Sequence, residues 1–421
     1  MSMALFRIRF VVLSDGERVP MLLDASGLPH WFATLFVTTQ VRNNSKAPNT
    51  MFAVLGAVRN LLAWATAQSI DLESRFARRE WLLEAEIESL RAYAQSSIDS
   101  CDAHDPVVVR LPKRRETARA ARGLPDGRVS GSTQYIRMTY MAAYLEWLAI
   151  RIIEREARRV DDGTRSEIKA MAVSIRMRRP RKSARSLLSA RRGLSEGSQQ
   201  RLLELMRPDS NDNPFEHEVR QRNALIIHLL YDLGIRAGEL LALKVNDFDF
   251  QRNEVVAARR HGDPSDPRAN QPVLKTMDRR IALSPALSGE VSRYVLAERR
   301  RYPRARRHEF LLVTHQAGPF QGMPLSMKGL NKLFATIQRA DPDVLGGLTA
   351  HVLRHTANDR LSAMWDAHGV RSPEEEKMRS YLMGWREGSG TATTYTRRHV
   401  EKKAREASLK LQQTPRKGED R

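Results

Sequence analysis

Apolar and polar positions alternate with period two at the start of the chain. Phe6, Ile8 and Phe10 are separated by Arg7 and Arg9, the pattern of a strand with one buried face. Asp15-Gly16 is a hairpin turn signal, and Val19–Leu23 supplies the returning strand. The period then lengthens to that of helices. Asn49-Thr50 can cap a helix with Val54, Leu55, Val58, Leu61, Leu62 and Ala65 on one face. A second candidate helix runs from Arg78 through Trp81, Leu82 and Ile87 to Tyr93. A third carries Ile136, Tyr140, Tyr144, Trp147, Leu148 and Ile152. Between them, residues 102–131 are poor in apolar side chains and rich in Arg, Lys, Gly and Pro, which predicts a loop. Trp64, Trp81 and Trp147 are expected in the core of this helical region rather than stacked on bases.

Past residue 193 the same reading predicts a second unit. Ser195 can cap a helix bearing Leu202, Leu203, Leu205 and Met206. A longer helix with Leu225, Ile226, Leu229, Leu230 and Leu233 follows, and Gly234 ends it in the left-handed position. Short strand-like runs occupy Glu254–Ala257, Pro272–Lys275 and Arg280–Leu283, with Thr276–Asp278 as a turn, so Lys275 lies at a hairpin tip. Helical spacing resumes over Pro285–Arg301, Ser326–Ala340, Ala350–Trp365 and Ser372–Leu382. The last opens on the capping box Ser372-Pro373-Glu374-Glu375 and is closed by Gly384. A basic helical segment covers 391–411, and the residues after it are expected to be a disordered tail. The expected fold class is mainly α with a small β-sheet (α+β). Its domains are a candidate hairpin at 1–25, a helical domain at 26–175, a basic linker at 176–192, a second domain at 193–412 and a tail at 413–421.

Composition adds one strong statement. Seventy Lys and Arg stand against forty-nine Asp and Glu, a net charge of +21. That excess, rich in Arg, points to a polyanion and above all to nucleic acid. The bland reading is a basic protein kept soluble by its charge. The linker concentrates the feature: Arg176, Arg178, Arg179, Arg181, Lys182 and Arg185 read as a strap along DNA phosphates, or else as a solvated tether. The single cysteine, Cys101, excludes an intrachain disulfide and a cysteine-based metal cluster, so no metal site is expected. Arg7 and Arg9 interrupt the apolar N-terminus, which argues against a signal peptide. No run approaches the length of a bilayer span. The expected location is cytoplasmic, associated with the nucleoid.

Taken singly, the candidate chemistry is weak. Arg236 reads as a surface ion-pair partner, Lys275 as a solvated charge, His351 as a satisfied polar residue at a helix start, and Tyr395 as packing. Their order is more telling. Arg236 stands in Leu233-Gly234-Ile235-Arg236-Ala237-Gly238-Glu239-Leu240, and Lys275 follows on a hairpin. His351-Val352-Leu353-Arg354-His355 opens a helix, Leu382-Met383-Gly384-Trp385 ends one, and Tyr395 lies ten residues on. This series resembles the tyrosine recombinases, the family of phage integrases, whose pattern is Arg, Lys, His-x-x-Arg, His or Trp, then Tyr.

The resemblance covers residues 193–412 by motif and extends to the upstream helical region, which is similar to the family's core-binding domain. It implies a DNA strand-transferase needing no ATP, metal or other cofactor. Arg236 and Arg354 would clamp the non-bridging oxygens of a phosphodiester. Tyr395 would be the nucleophile, forming a 3′-phosphotyrosyl bond, and Lys275 would protonate the leaving 5′-oxygen. Trp385 stands where many members carry His; its indole N–H can donate a hydrogen bond but cannot take a proton. That leaves His351 to accept or position the phenol proton. Glu239 and His355 are expected as supporting residues. The partners implied are double-stranded DNA, further copies of the chain in a tetrameric synapse, and companion recombinases; no membrane is implied. Two alternatives stay open. The same chemistry without partner exchange would be a type IB topoisomerase or a telomere resolvase. A catalytically silent fold would be a DNA-binding regulator.

Overall fold

The computed structural model describes residues 6–44, 48–96, 127–157, 159–181, 193–260, 263–268, 271–272, 277–370, 372–387, 404–405 and 407–412. The chain divides into two compact units. One comprises Met1–Ser14 and Arg18–Ser186, the other Asp15–Glu17 and Leu187–Arg421.

In the first unit, β1 (Arg7–Val12) pairs antiparallel with β2 (Arg18–Leu23), with Arg7 opposite Leu23 and Val12 opposite Arg18. The predicted hairpin is therefore present. α1 (Trp31–Phe36) runs on into a π-helical stretch over Val37–Arg42, and neither was expected. α2 (Pro48–Ala67) buries Met51, Val54, Leu55, Val58, Leu61 and Trp64. It is long and apolar enough to cross a membrane, 20 residues at mean hydropathy 1.3, contrary to the expectation that no run approaches that length. Half of it is buried among the other helices of this unit, the situation of a core helix.

α3 (Leu72–Ala77) and α4 (Glu84–Gln95) replace the single helix expected from Arg78 to Tyr93. Arg79 takes a left-handed backbone at φ +58°. Arg75 donates to the Trp81 carbonyl at 2.9 Å, and Glu86 accepts the Leu83 N–H at 2.8 Å. The Trp81 carbonyl and the Leu83 N–H are thus satisfied by side chains, while the N–H groups of Arg78, Arg79 and Glu80 bond back to carbonyls at the end of α3. α5 (Gly131–Ala157) crosses the unit, and α6 (Asp162–Met177), unanticipated, packs on it with Ile168, Met171 and Ile175 buried. Trp64 is fully buried, and Trp81 and Trp147 are half-buried against the same core. Of the loop expected at 102–131, residues 102–126 lie outside the described residues.

The second unit is built on α8 (His217–Leu233), buried on almost every side from Arg222 to Leu233. α7 (Glu196–Met206) precedes it, with Ser195 accepting the Ser198 N–H as its cap. α9 (Ala237–Ala242) follows, then an antiparallel sheet in the order β3 (Phe248–Asp249), β4 (Glu254–Ala257), β5 (Arg279–Ala282). The strand expected over Pro272–Lys275 lies mostly outside the described residues.

α10 (Pro285–Arg293) continues as a π turn and short 3-10 turns to Arg307. α11 (Met327–Ala340), α12 (Pro342–Leu345), α13 (Ala350–Ala367) and α14 (Ser372–Met383) complete the unit. The Glu375 carboxylate, predicted to cap α14, instead turns inward to the Arg379 guanidinium one turn on. The architecture is mainly helical with two small antiparallel sheets, the α+β class expected.

Candidate active site

The site grows from the end of α8. Gly234 sits at φ +59° with its N–H donating to Leu230 O at 3.2 Å, which glycine alone does without strain. A Cβ there would come within 2.9 Å of the Ala357 Cβ and 3.0 Å of the Met383 Cε. α8, α13 and α14 therefore meet at one glycine. The turn it makes sets Arg236 at the N-cap of α9, where its backbone N–H donates to Glu239 Oε2 at 2.7 Å.

Glu239 is the electrostatic centre. It is 3% exposed and receives Arg279 Nη1 at 2.7 Å and Nη2 at 3.3 Å, with Arg354 Nη1 at 3.8 Å. A carboxylate this deeply buried stays ionised only beside opposite charge. Arg354, on the first turns of α13, donates to Gly234 O at 2.6 Å and to Met383 O at 2.8 Å. Both acceptors stand at helix C-termini, where carbonyls lack intrahelical partners and the dipole favours a cation. Arg279 Nε takes the neighbouring carbonyl, Leu382 O, at 2.6 Å, and the Met277 N–H takes Gly384 O at 3.0 Å. The end of α14 is thus held by two arginines and by the backbone of Met277, just before β5. Trp385, buried, comes next with its backbone N–H donating to Ser380 O at 2.8 Å and its ring centroid 5.4 Å from the Arg354 guanidinium carbon.

Behind this layer, Asn358 donates to Arg354 O at 2.8 Å and accepts Arg379 Nη1 at 3.1 Å. Arg379 is fully buried, also bonds Ser362 at 2.7 Å and lies over the Trp365 ring. The network clamps α14 on α13 and so holds Met383 O at Arg354. His351 is exposed on the first turn of α13. Its ring meets His355 edge-on, with centroids 4.5 Å apart at 74°.

The structure therefore brings Arg236, Glu239, Arg354 and Trp385 into one cluster, with His351 and His355 on the helix turn around Arg354. Lys275 and Tyr395 lie outside the described residues. Sequence reasoning missed Arg279. A signal existed: Arg279 and Ile281 share the buried face of β5, so an arginine occupies a core register position. Missed too was Arg379, a charge on the apolar face of α14.

The linker arginines are placed differently from a strap. Arg176 ends α6 and pairs with Glu146 at 2.6 Å, and Arg178 pairs with Glu88 at 2.7 Å and Glu84 at 3.4 Å. Arg179 lies 4.6 Å from the Tyr135 ring centroid and donates to Thr139 at 3.2 Å. Arg181 is exposed, and Lys182 and Arg185 lie outside the described residues.

The class this defines is an α+β unit whose central cluster sets the guanidiniums of Arg279 and Arg354 against one carboxylate, with Arg236 at the adjoining helix cap, an arrangement suited to an anion with several oxygens. The family model described as "Phage integrase family" matches residues 198–402. That stretch of the chain is a phage integrase family domain. Over 153 residues it is 28% identical to "Transposase A from transposon Tn554" of Staphylococcus aureus, covering 36% of this chain and 39% of the relative. It is 30% identical over 153 residues to "Tyrosine recombinase XerC" of Roseiflexus castenholzii, covering 36% and 43%. The chain spans about two fifths of the length of these curated relatives. Among solved structures, XerH site-specific recombinase bound to difH substrate is similar at 14% identity, covering 89% of this chain and 92% of that one with a TM-score of 0.41. XerA recombinase is similar at 18% identity, covering 68% and 78% with a TM-score of 0.35.

Proposed function

We propose that this chain is a site-specific tyrosine recombinase that cleaves and rejoins duplex DNA to mobilise or integrate a genetic element. The observation that carries the reading is the buried cluster of Arg236, Glu239, Arg354 and Trp385, assembled from three helix ends inside the stretch that matches the integrase family.

Arg236 and Arg354 hold the non-bridging oxygens of the scissile phosphate. They stabilise the charge that builds there as a fifth oxygen approaches phosphorus. The carbonyls of Gly234 and Met383 use two of the five Arg354 donors and fix the plane of its guanidinium. Arg279 and Glu239 orient the clamp without touching DNA. The Tyr395 oxygen attacks phosphorus and passes its proton to His351. The bond from phosphorus to the 5′-oxygen breaks, and that oxygen takes a proton from Lys275. The 3′-phosphotyrosyl ester keeps the energy of the broken diester, so attack by a 5′-hydroxyl rejoins the strand without ATP. Four copies on two duplexes complete the exchange.

The test uses nicked duplexes built from the junctions that flank the gene in its host, so that cleavage releases a short product and traps the intermediate. Wild type is expected to become covalently attached, and Tyr395→Phe is not. Binding without any covalent product would favour a DNA-binding regulator. Relaxation of supercoiled plasmid with no preference for site would favour a topoisomerase.

A further inference from the structure

The stretch Arg299-Arg300-Arg301-Tyr302-Pro303-Arg304-Ala305-Arg306-Arg307-His308 takes no part in the cluster above. It folds as two short 3-10 turns wound around a single buried guanidinium. Arg299 donates to Phe310 O at 2.9 Å and to Ala305 O and His308 O, both at 2.6 Å. No carboxylate pairs with it among the described residues, and burial holds its pKa below the ordinary arginine value. Its role is to satisfy the carbonyls of a tight loop, and the effect is to turn Arg300, Arg301, Arg304, Arg306 and Arg307 outward, all exposed.

A second turn braces this ridge. Gly322, at φ +74°, lies so close that an added Cβ would sit 3.0 Å from the Arg304 Cβ and 3.2 Å from the Ala305 nitrogen. His308 Nε2 donates to Gly322 O at 2.9 Å, and Arg304 donates to Pro319 O. The same turn presents Phe320, 71% exposed. The neighbouring carboxylates offer little neutralisation. Glu298 pairs with Arg301 at 3.2 Å, while Glu309 is engaged by Lys244 at 3.6 Å and Asn246 at 2.8 Å.

Five like charges on a braced loop repel one another and destabilise the free protein; an anionic partner reverses that cost. We infer that the ridge Arg300–Arg307 is a second DNA-binding surface, which grips the phosphate backbone of a duplex segment away from the scissile phosphate. The inference rests on the DNA-binding part of the proposed function. A duplex backbone fits better than a single strand, because a single-strand channel needs successive stacking platforms and only Phe320 is offered here. The separation follows from the fold. Arg236 caps the N-terminus of α9, while Leu243 and Val245 beyond its C-terminus pair with Leu311 and Glu309, next to the ridge. About 9 Å of helix therefore lies between the clamp and the C-terminal end of the ridge.

The test measures binding of the full-length protein to a long duplex by fluorescence anisotropy across a salt series. Arg300 and Arg307 are replaced because neither has a side-chain partner among the described residues. For R300A/R307A, the slope of log affinity against log salt is expected to fall by about 1.8, at about 0.9 for each phosphate released. R300K/R307K should keep most of the slope. Covalent trapping on a short nicked duplex, confined to the cleavage site, should be unchanged by either variant. An unchanged slope in R300A/R307A, with wild-type circular dichroism and melting, overturns the inference even if wild type traps DNA. A reduced slope with no trapping by wild type keeps the ridge and overturns the proposed chemistry instead.

Discussion

Glu239 shows how one side chain can organise a site without acting in it. Its carboxylate neutralises part of the charge of Arg279 and Arg354 and caps α9 through the Arg236 N–H. Removing one member of a buried pair strands the charge of the other, at a cost of about 3–5 kcal/mol. Glu239→Gln is therefore expected to lower the unfolding free energy measured by urea titration by an amount in that range. Arg279→Met should do the same, and the double variant should lose clearly less than the sum of the two. Strict additivity would show that the two side chains are not coupled. At this scale the motif residues were legible because Arg236, Glu239, His351 and Arg354 stand at short, ordered spacings. Arg279 and Arg379 were not. A buried arginine is recognisable only once its acceptors are known, and those come from residues as distant as Leu382 and Asn358.

At the scale of elements, helix ends carry the design. α8 and α14 both stop at glycines with positive φ, and the carbonyls they expose become the seat of Arg354. Another such assembly lies between α8 and the strand-like run at 310–313. The Val313 N–H donates to the Tyr294 oxygen at 3.3 Å, the Tyr294 hydroxyl donates to His315 Nε2 at 3.3 Å, and His315 Nδ1–H donates to Glu218 O at 3.0 Å. His315 must be neutral for this chain to close. Burial, with the nearby Arg222 charge, pushes its pKa down to about 4, and burial pushes Tyr294 up to about 12.

Because the folded pKa of His315 lies below the unfolded value near 6.5, the unfolded chain takes the proton first. The stability contributed by neutral His315 is full above pH ~6.5 and is lost as pH falls towards 4, by about 3 kcal/mol in all. His315→Gln should flatten that part of the stability–pH curve when urea midpoints are compared between pH ~7 and pH ~4.5. A curve parallel to wild type would refute the assignment. The elements themselves were largely readable from periodicity, with α13 and α11 close to their expected limits. The break at Arg78–Leu83 was not, because side chains of Arg75 and Glu86 end the helix from outside the segment.

Over the whole molecule, the net charge of +21 is what a solution measurement meets first. If six or more phosphates are neutralised on binding, affinity for a duplex lacking any recombination site should fall about a thousandfold or more between ~50 and ~200 mM salt. Affinity that barely moves over that range would mean that the charge serves solubility alone.

By itself the sequence determined the class of fold and named the residues proposed for the chemistry. Apolar period, caps and glycine stops are local properties, and the motif is a matter of residue type and order. The tertiary structure decided which charges are spent and which are offered. Arg176 and Arg178, read from sequence as a DNA strap, are neutralised by Glu146, Glu84 and Glu88. Arg300 and Arg307 stand without such partners among the described residues. Charge is written residue by residue, whereas its neutralisation depends on distances of a few ångströms between residues that only folding brings together.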